Sequence, residues 1–252
     1  MLEKLKAKHF EILTLHHAEA ILKHDMPEAL DRLENVLLTM TIPVEELVKG
    51  GGGEGKATQR LRMALNTAGW KKHRFEIKRI VDGVEKESIS HEIDHVGTFE
   101  KGIFALEIEW NNKDPFFDRD LENFKRLHAD GVISVGAIIT RGKSLHDAMR
   151  PLMEQFAEDH EIESVEMLSC YYSPTFRQRE LYERCAKAKG SFAKGWAHCF
   201  VSDKFGESTT HWRKLEERVK RGVGNPCPLL LIGIPKSVVI SNEDYGNDNK
   251  PA

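Results

Sequence analysis

Two stretches of this chain, VISVGAIIT near the middle and PLLLIGIP near the end, are apolar almost without interruption, the first rich in β-branched residues. A strand with one wet face alternates apolar and polar side chains. A run that does not alternate needs cover on both faces, which demands a sheet held between layers. The chain supplies that cover. HHAEAILKHDM and PEALDRLENVLLTM read as helices, the second opened by Pro27 in its first turn. In TQRLRMALNTAGW, Leu61, Leu65 and Ala68 share a face and Gly69 stops the helix. FFDRDLENFKRLHADG, SLHDAMRPLMEQFAE and TTHWRKLEERVKRG are further helices, the last capped by Thr209 or Thr210. HFEILTL, RFEIKRIV, ESISHEIDHVG and IFALEIEW are strand-like. Strands alternating with helices predict an α/β fold with a mixed central β-sheet flanked by helices. Residues 169–206 carry no pattern that assigns them, and NEDYGNDNKPA reads as a disordered tail.

With 252 residues, 40% hydrophobic and 31% charged, the chain suits one domain. No apolar run approaches the roughly 18 residues of a membrane span. MLEKLKAKHF lacks a signal peptide's apolar core, so a cytoplasmic protein is expected. The cysteines, Cys170, Cys185, Cys199 and Cys227, show no C-x-x-C spacing, which predicts neither a structural zinc site nor a disulfide framework. Net charge is −3, but the charges are segregated. Between Glu154 and Glu166 there are six acids and no Lys or Arg, whereas Tyr171 to Asn225 hold twelve Lys or Arg against six acids. Such segregation gives one face a positive potential.

Two short patterns suggest chemistry and fail on context. In GGGGEGK, Gly50, Gly55 and Lys56 have phosphate-loop spacing, yet Ala57 stands where a Ser or Thr hydroxyl must hold Mg²⁺. The preceding IPVEELVKG reads as a short helix rather than a buried strand. No nucleotide cofactor is expected, and the glycines form a close-approach segment before a helix. HEIDH, from His91 to His95, matches H-E-x-x-H, which requires both histidines on one helical face. Ile89 and Ile93 alternate with polar neighbours, so the stretch is a strand. There the histidines would sit roughly 13 Å apart, too far to share zinc.

IFALEIEW carries a more telling pattern. Phe104, Leu106, Ile108 and Trp110 form one face. The other begins with Ile103 and Ala105 and ends with Glu107 and Glu109, as in a central strand whose last residues open into a cleft. The two glutamates then lie on the order of 7 Å apart at Cα. Asp94 sits in the neighbouring strand-like stretch, and GTFEKG can turn the chain between them. Three converging carboxylates raise one another's pKa values, and a hard divalent cation relieves that repulsion. A salt-bridged strand pair would show the same residues.

The order Asp94, LEIEW, NNKDPFF, a helix and the buried strand VGAIIT resembles the PD-(D/E)xK nuclease core. Within it the chain is most similar to type II restriction endonucleases of the BglII, BstYI and BamHI kind. ALNTAGWKK and GVGNPCPLLLIGIP extend the resemblance over roughly residues 8 to 240. The resemblance implies a single nuclease domain over 1–240, with a helical segment over 1–69, a catalytic core over 70–142 and a DNA-recognition and dimer segment over 143–240. It makes Asp94, Glu107 and Glu109 catalytic, with Asp94, Glu107 and the Ile108 carbonyl holding Mg²⁺, for which Mn²⁺ can substitute. Glu109 occupies the slot that is lysine in many such nucleases, and can take the attacking water's proton or bind a second metal. The spacing from Asp94 to Glu107 is longer than in the BglII and BstYI patterns. Asn111, Asn112 and Lys113 fall where base-reading residues are expected, although Asn-Asn is also ordinary turn chemistry. Arg119, Lys125 and Arg126 would meet phosphates or a partner subunit. Ser208, Thr209, Thr210, His211 and Arg213 open a basic helix that can take a phosphate, read a base edge or simply be capped. The implied activity is Mg²⁺-dependent cleavage of double-stranded DNA at a short palindrome, GATC-centred in the nearest relatives, by a prokaryotic homodimer. The alternatives are a repair or recombination nuclease on the same core, a non-catalytic DNA-binding protein and, remotely, a zinc peptidase.

Overall fold

The computed structural model describes residues 1–49 and 54–241. In chain order its elements are α1 (Glu3–Ala7), β1 (Glu11–Leu15), α2 (Ala18–His24), α3 (Pro27–Leu38), β2 (Ile42–Pro43), α4 (Val44–Val48) and α5 (Lys56–Thr67). Then come β3 (Lys71–Val81), β4 (Val84–Phe99), β5 (Gly102–Glu109), α6 (Phe116–Ala129), β6 (Val135–Arg141) and α7 (Lys143–Asp159). The chain continues through α8 (Phe176–Lys189), α9 (Phe192–Lys204), α10 (Trp212–Lys220), β7 (Leu229–Ile234) and β8 (Val239–Ile240).

The two apolar runs lie side by side as β6 and β7, parallel, at the centre of a six-stranded sheet ordered β1-β7-β6-β5-β4-β3. β5 joins β6 in parallel, while β4, β3 and β1 pair antiparallel, so the sheet is mixed. Both faces of the two central strands are covered. Val135, Ala137 and Ile139 of β6, with Leu230, Ile232 and Ile234 of β7, face a core shared with α2, α3, α5, α7 and α9. Ile138, Leu229 and Leu231 face a second core under α6 and α10. Each Val, Leu or Ile side chain among them, fully removed from water, contributes about 1.5–3 kcal/mol. Gly136 permits the close approach of α6, because a Cβ there would fall 2.7 Å from the Phe124 ring.

α4 confirms that the segment before the glycine run is helical. Gly50 to Gly53 lie outside the described residues, as do 242–252, on which the tail expectation falls. The unassigned stretch forms a 3-10 turn at Met167–Cys170 followed by α8 and α9. Two expectations are corrected. Cys185 and Cys199 form a disulfide between α8 and α9, a pairing set by two helices facing each other and invisible to spacing along the chain. The N-cap of α10 is His211, not a threonine, because the Thr209 hydroxyl turns back to the Gly206 carbonyl at 2.7 Å.

Among the described residues no helix is long and apolar enough to cross a membrane.

Candidate active site

β5 runs from the core to an edge, and its second face changes character on the way. Ala105 packs in the core under α6. Glu107 pairs across the ladder with Ile138 and Glu109 with Thr140. Both glutamates are buried, at 5% and 3% exposure. The end of the strand is pinned from β6: the Thr140 hydroxyl donates to the Glu109 carbonyl at 2.7 Å, and Arg141 Nε donates to the Trp110 carbonyl at 2.9 Å.

α6 lies over this face because Phe117, Leu121, Phe124 and Leu127 form its apolar stripe. Asp120 falls within that stripe, three residues after Phe117 and four before Phe124, and is 1% exposed. Its carboxylate therefore meets the glutamates. Burial, then the charges of Asp120 and Asp94, hold Glu107 well above the ordinary carboxylate range. Burial and the Asp120 charge likewise raise Glu109, and burial raises Asp120 against hydrogen bonds from Glu109 and Arg119. Asp120 Oδ2 has no hydrogen-bond partner. Asp120 was missed in the sequence; an acid inside an apolar helical stripe is the signal that could have found it.

Asp94 stands beside Glu107, and its backbone N–H donates to Glu107 Oε1 at 3.3 Å. Its own carboxylate is exposed and pairs with Lys72 at 3.6 Å. Asp94, with Ile108, Trp110, Asn111 and Asn112, lines a cleft of about 810 Å³. Four carboxylates thus gather at one strand end, Asp94 at the rim and the others beneath it. All the donors are oxygens, the inner ones are desolvated, and among the described residues Arg119 alone brings a cation to Glu109 and Asp120, at 3.6 and 2.8 Å. That donor set fits a hard divalent cation.

The residues expected at DNA divide into groups. Asn112 Nδ2 donates to Glu109 Oε2 at 2.8 Å, which joins it to the acidic site. Asn111 donates to the Lys204 carbonyl at 2.8 Å, and its buried Oδ1 has no partner. Lys113 is exposed and bridges by its backbone to Thr209. Thr210 is buried, with its hydroxyl accepting from the Asn112 N–H at 3.1 Å. Arg119 stacks on Phe116, 4.4 Å from the ring centroid. Lys125 and Arg126 pair with Glu122 at 3.2 and 3.3 Å. Ser208 is exposed, and its carbonyl accepts from the Asp114 N–H. His211 is buried, and Arg213 makes a bidentate pair with Asp147 at 2.8 and 2.7 Å. The structure thus brings Asn111, Asn112, Lys113 and 208–210 to one edge with the acids and engages Arg213 elsewhere.

The HEIDH segment lies within β4, so the pattern does not occupy a helix. A register shift opposite Lys71 and His73 separates its histidines. His91 meets Asn123 of α6 at 2.9 Å, whereas His95 lines the cleft near Trp70.

No curated protein matches the chain. A family model described as Restriction endonuclease BglII/BglIII matches residues 10–234. The match runs from the edge strand β1 to the end of β7 and contains every carboxylate gathered around β5. The chain therefore belongs to the BglII/BglIII restriction endonuclease family, whose members hydrolyse phosphodiester bonds in DNA.

Proposed function

We propose that this chain is a Mg²⁺-dependent, sequence-specific endonuclease that acts as a homodimer. It would cut one phosphodiester in each strand of a short palindrome and leave 5′-phosphates. The observation that carries this reading is the pair of buried glutamates at the end of β5, with Asp94 held against Glu107 by a backbone hydrogen bond. Asp94, Glu107 and the Ile108 carbonyl would hold the ion. When bound, the ion neutralises the carboxylates, lowers the pKa of a water and offsets charge on the transferring phosphate.

The chain's own residues do the rest. Glu109, lifted by burial and by Asp120, retains its proton to higher pH than an ordinary carboxylate. A base poised nearer the working pH is the more effective acceptor for the proton of an attacking water. Asn112 orients that carboxylate through its side-chain amide. Arg119, half out in solvent beside Glu109, is placed to meet a phosphate oxygen. Asn111 and Lys113, on the turn after β5, stand where a duplex entering the cleft would present base edges or phosphates.

Incubation with phage DNA and Mg²⁺ should yield discrete fragments. Glu107→Ala should abolish cutting, by at least about a thousandfold, while leaving retardation of the DNA intact. Random degradation would instead indicate a nuclease without site selection, and retardation without cleavage by the unaltered protein would indicate a DNA-binding role. Sequencing the fragment ends identifies the site.

A further inference from the structure

On the far side of the connection between α9 and α10, His146, Glu207 and His211 offer ligand atoms that all lie within 4.8 Å of one another. We infer that these residues form a zinc site that fastens the 205–211 connection to α7. His146 is in the first turn of α7, Glu207 lies within the connection and His211 is the N-cap of α10. His146 Nε2 is 3.2 Å from one Glu207 oxygen, and His211 Nε2 is 3.6 Å from the other. Four ligands at bond lengths of 2.0–2.1 Å around tetrahedral zinc are separated by roughly 3.3 Å, the spacing these atoms already approach.

The hydrogen-bond pattern points the same way. His211 is 1% exposed at its side chain, and neither of its ring nitrogens has a hydrogen-bond partner. His146 Nδ1 has none either. Unpaired buried polar atoms carry a desolvation cost that ligation would remove. Arg141, buried nearby, opposes any cation; the Glu207 carboxylate opposes Arg141. Imidazole nitrogen suits zinc, whereas Mg²⁺ and Ca²⁺ need more oxygen ligands than this trio supplies. The rings are stacked nearly parallel, 13° apart with centroids 4.0 Å apart, so loading requires them to turn about χ2 until both lone pairs converge. His146 and Glu207 also line a cavity of about 380 Å³ bordered by Arg150 and Ser202, with room for a water.

The site is distinct from the acidic cluster on β5 and does not depend on what that cluster binds. Its effect would reach that cluster through one short path. The connection holds Thr210, which exchanges backbone and hydroxyl hydrogen bonds with Asn112, and Asn112 holds Glu109. Zinc would thus be structural, steadying the edge at which DNA is proposed to bind.

The test uses the full chain, stripped with EDTA, desalted and titrated with Zn²⁺ alone. Metal retained after gel filtration is measured by mass spectrometry, and thermal unfolding is followed with and without the ion. The expected result is about one zinc per chain and a raised Tm in the unaltered protein. Glu207→Gln, at an exposed position, and His146→Asn should each retain less than about a tenth of that zinc and lose the rise in Tm, while melting normally in EDTA. Glu107→Ala should retain zinc in full. An unaltered protein that holds no zinc, or variants at residues 146 and 207 that hold as much as it does, would overturn the assignment.

Discussion

Asp120 shows how one residue can set the chemistry of a site while weakening the fold that carries it. It occupies a position in the α6 stripe that packing alone would give to leucine, and it places a third buried carboxylate against Glu107 and Glu109. Without a cation these groups repel one another in a dry environment, and protonation relieves only some of the cost. Replacing a buried charge by an apolar side chain of similar size is often neutral or stabilising. Asp120→Leu is therefore expected to stabilise the EDTA-treated protein by about 1–2 kcal/mol in urea unfolding. The same change should reduce DNA cleavage by roughly tenfold or more, because Glu109 loses the charge that lifts it. A less stable metal-free variant would show that the acids do not strain the fold. At this scale the sequence reveals Glu107 and Glu109, since the face of IFALEIEW turns from apolar to acidic. For Asp120 it offers only an acid set inside the apolar stripe of α6; that this stripe faces Glu107 and Glu109 is decided when the helix packs on the sheet.

At the scale of elements, legibility follows periodicity. The six sheet strands and the amphipathic helices α3, α5, α6 and α7 each carry a clear apolar face or run, and each is legible in approximate place. α8 and α9 are not. α8 buries only Tyr182 fully, and α9 is apolar around much of its circumference, with Ala193, Trp196, Ala197, Phe200 and Val201 all buried. Neither has the stripe by which a surface helix is recognised. The capping box formed by Thr175 and Gln178 is the signal the sequence does offer. α9 ends in Lys204, whose ammonium lies 5.3 Å from the centroids of the Phe200 and Phe205 rings and donates to the Leu47 and Lys49 carbonyls at 2.9 and 2.7 Å. Burial pulls its pKa from 10.5 down to about 8. The folded lysine thus binds its proton less tightly than the unfolded one. Between those values the unfolded chain holds more protons, and stability rises with pH. Lys204→Met, which keeps the stem and removes the charge, should flatten the rise in unfolding free energy across pH 8 to 10.5, measured by urea denaturation. An unchanged slope would place the ammonium in solvent.

For the whole molecule, the acidic site found once among the described residues of each chain bears on the assembly. A single centre faces a single strand at a time, so cutting both strands of a palindrome in one binding event calls for two copies related by a two-fold axis. Sedimentation equilibrium at micromolar concentration, with and without a cleavable duplex, should therefore report twice the 28.7 kDa chain mass. A chain that remains monomeric on DNA and releases nicked circles before linear product would remove the two-fold arrangement from the proposal.

The sequence alone determined the layered α/β class, the mixed sheet and the acidic end of β5. Those features follow from side-chain periods of 2 and 3.6 residues, which act locally and leave a trace in any window of the chain. Only the tertiary structure decided that Asp120 joins the glutamates, that Asn112 holds Glu109, that His211 is buried against His146, and that Cys185 meets Cys199. Each of these contacts depends on which face of one element meets which face of another. That choice is made by the packing of both cores at once, and no local pattern records it.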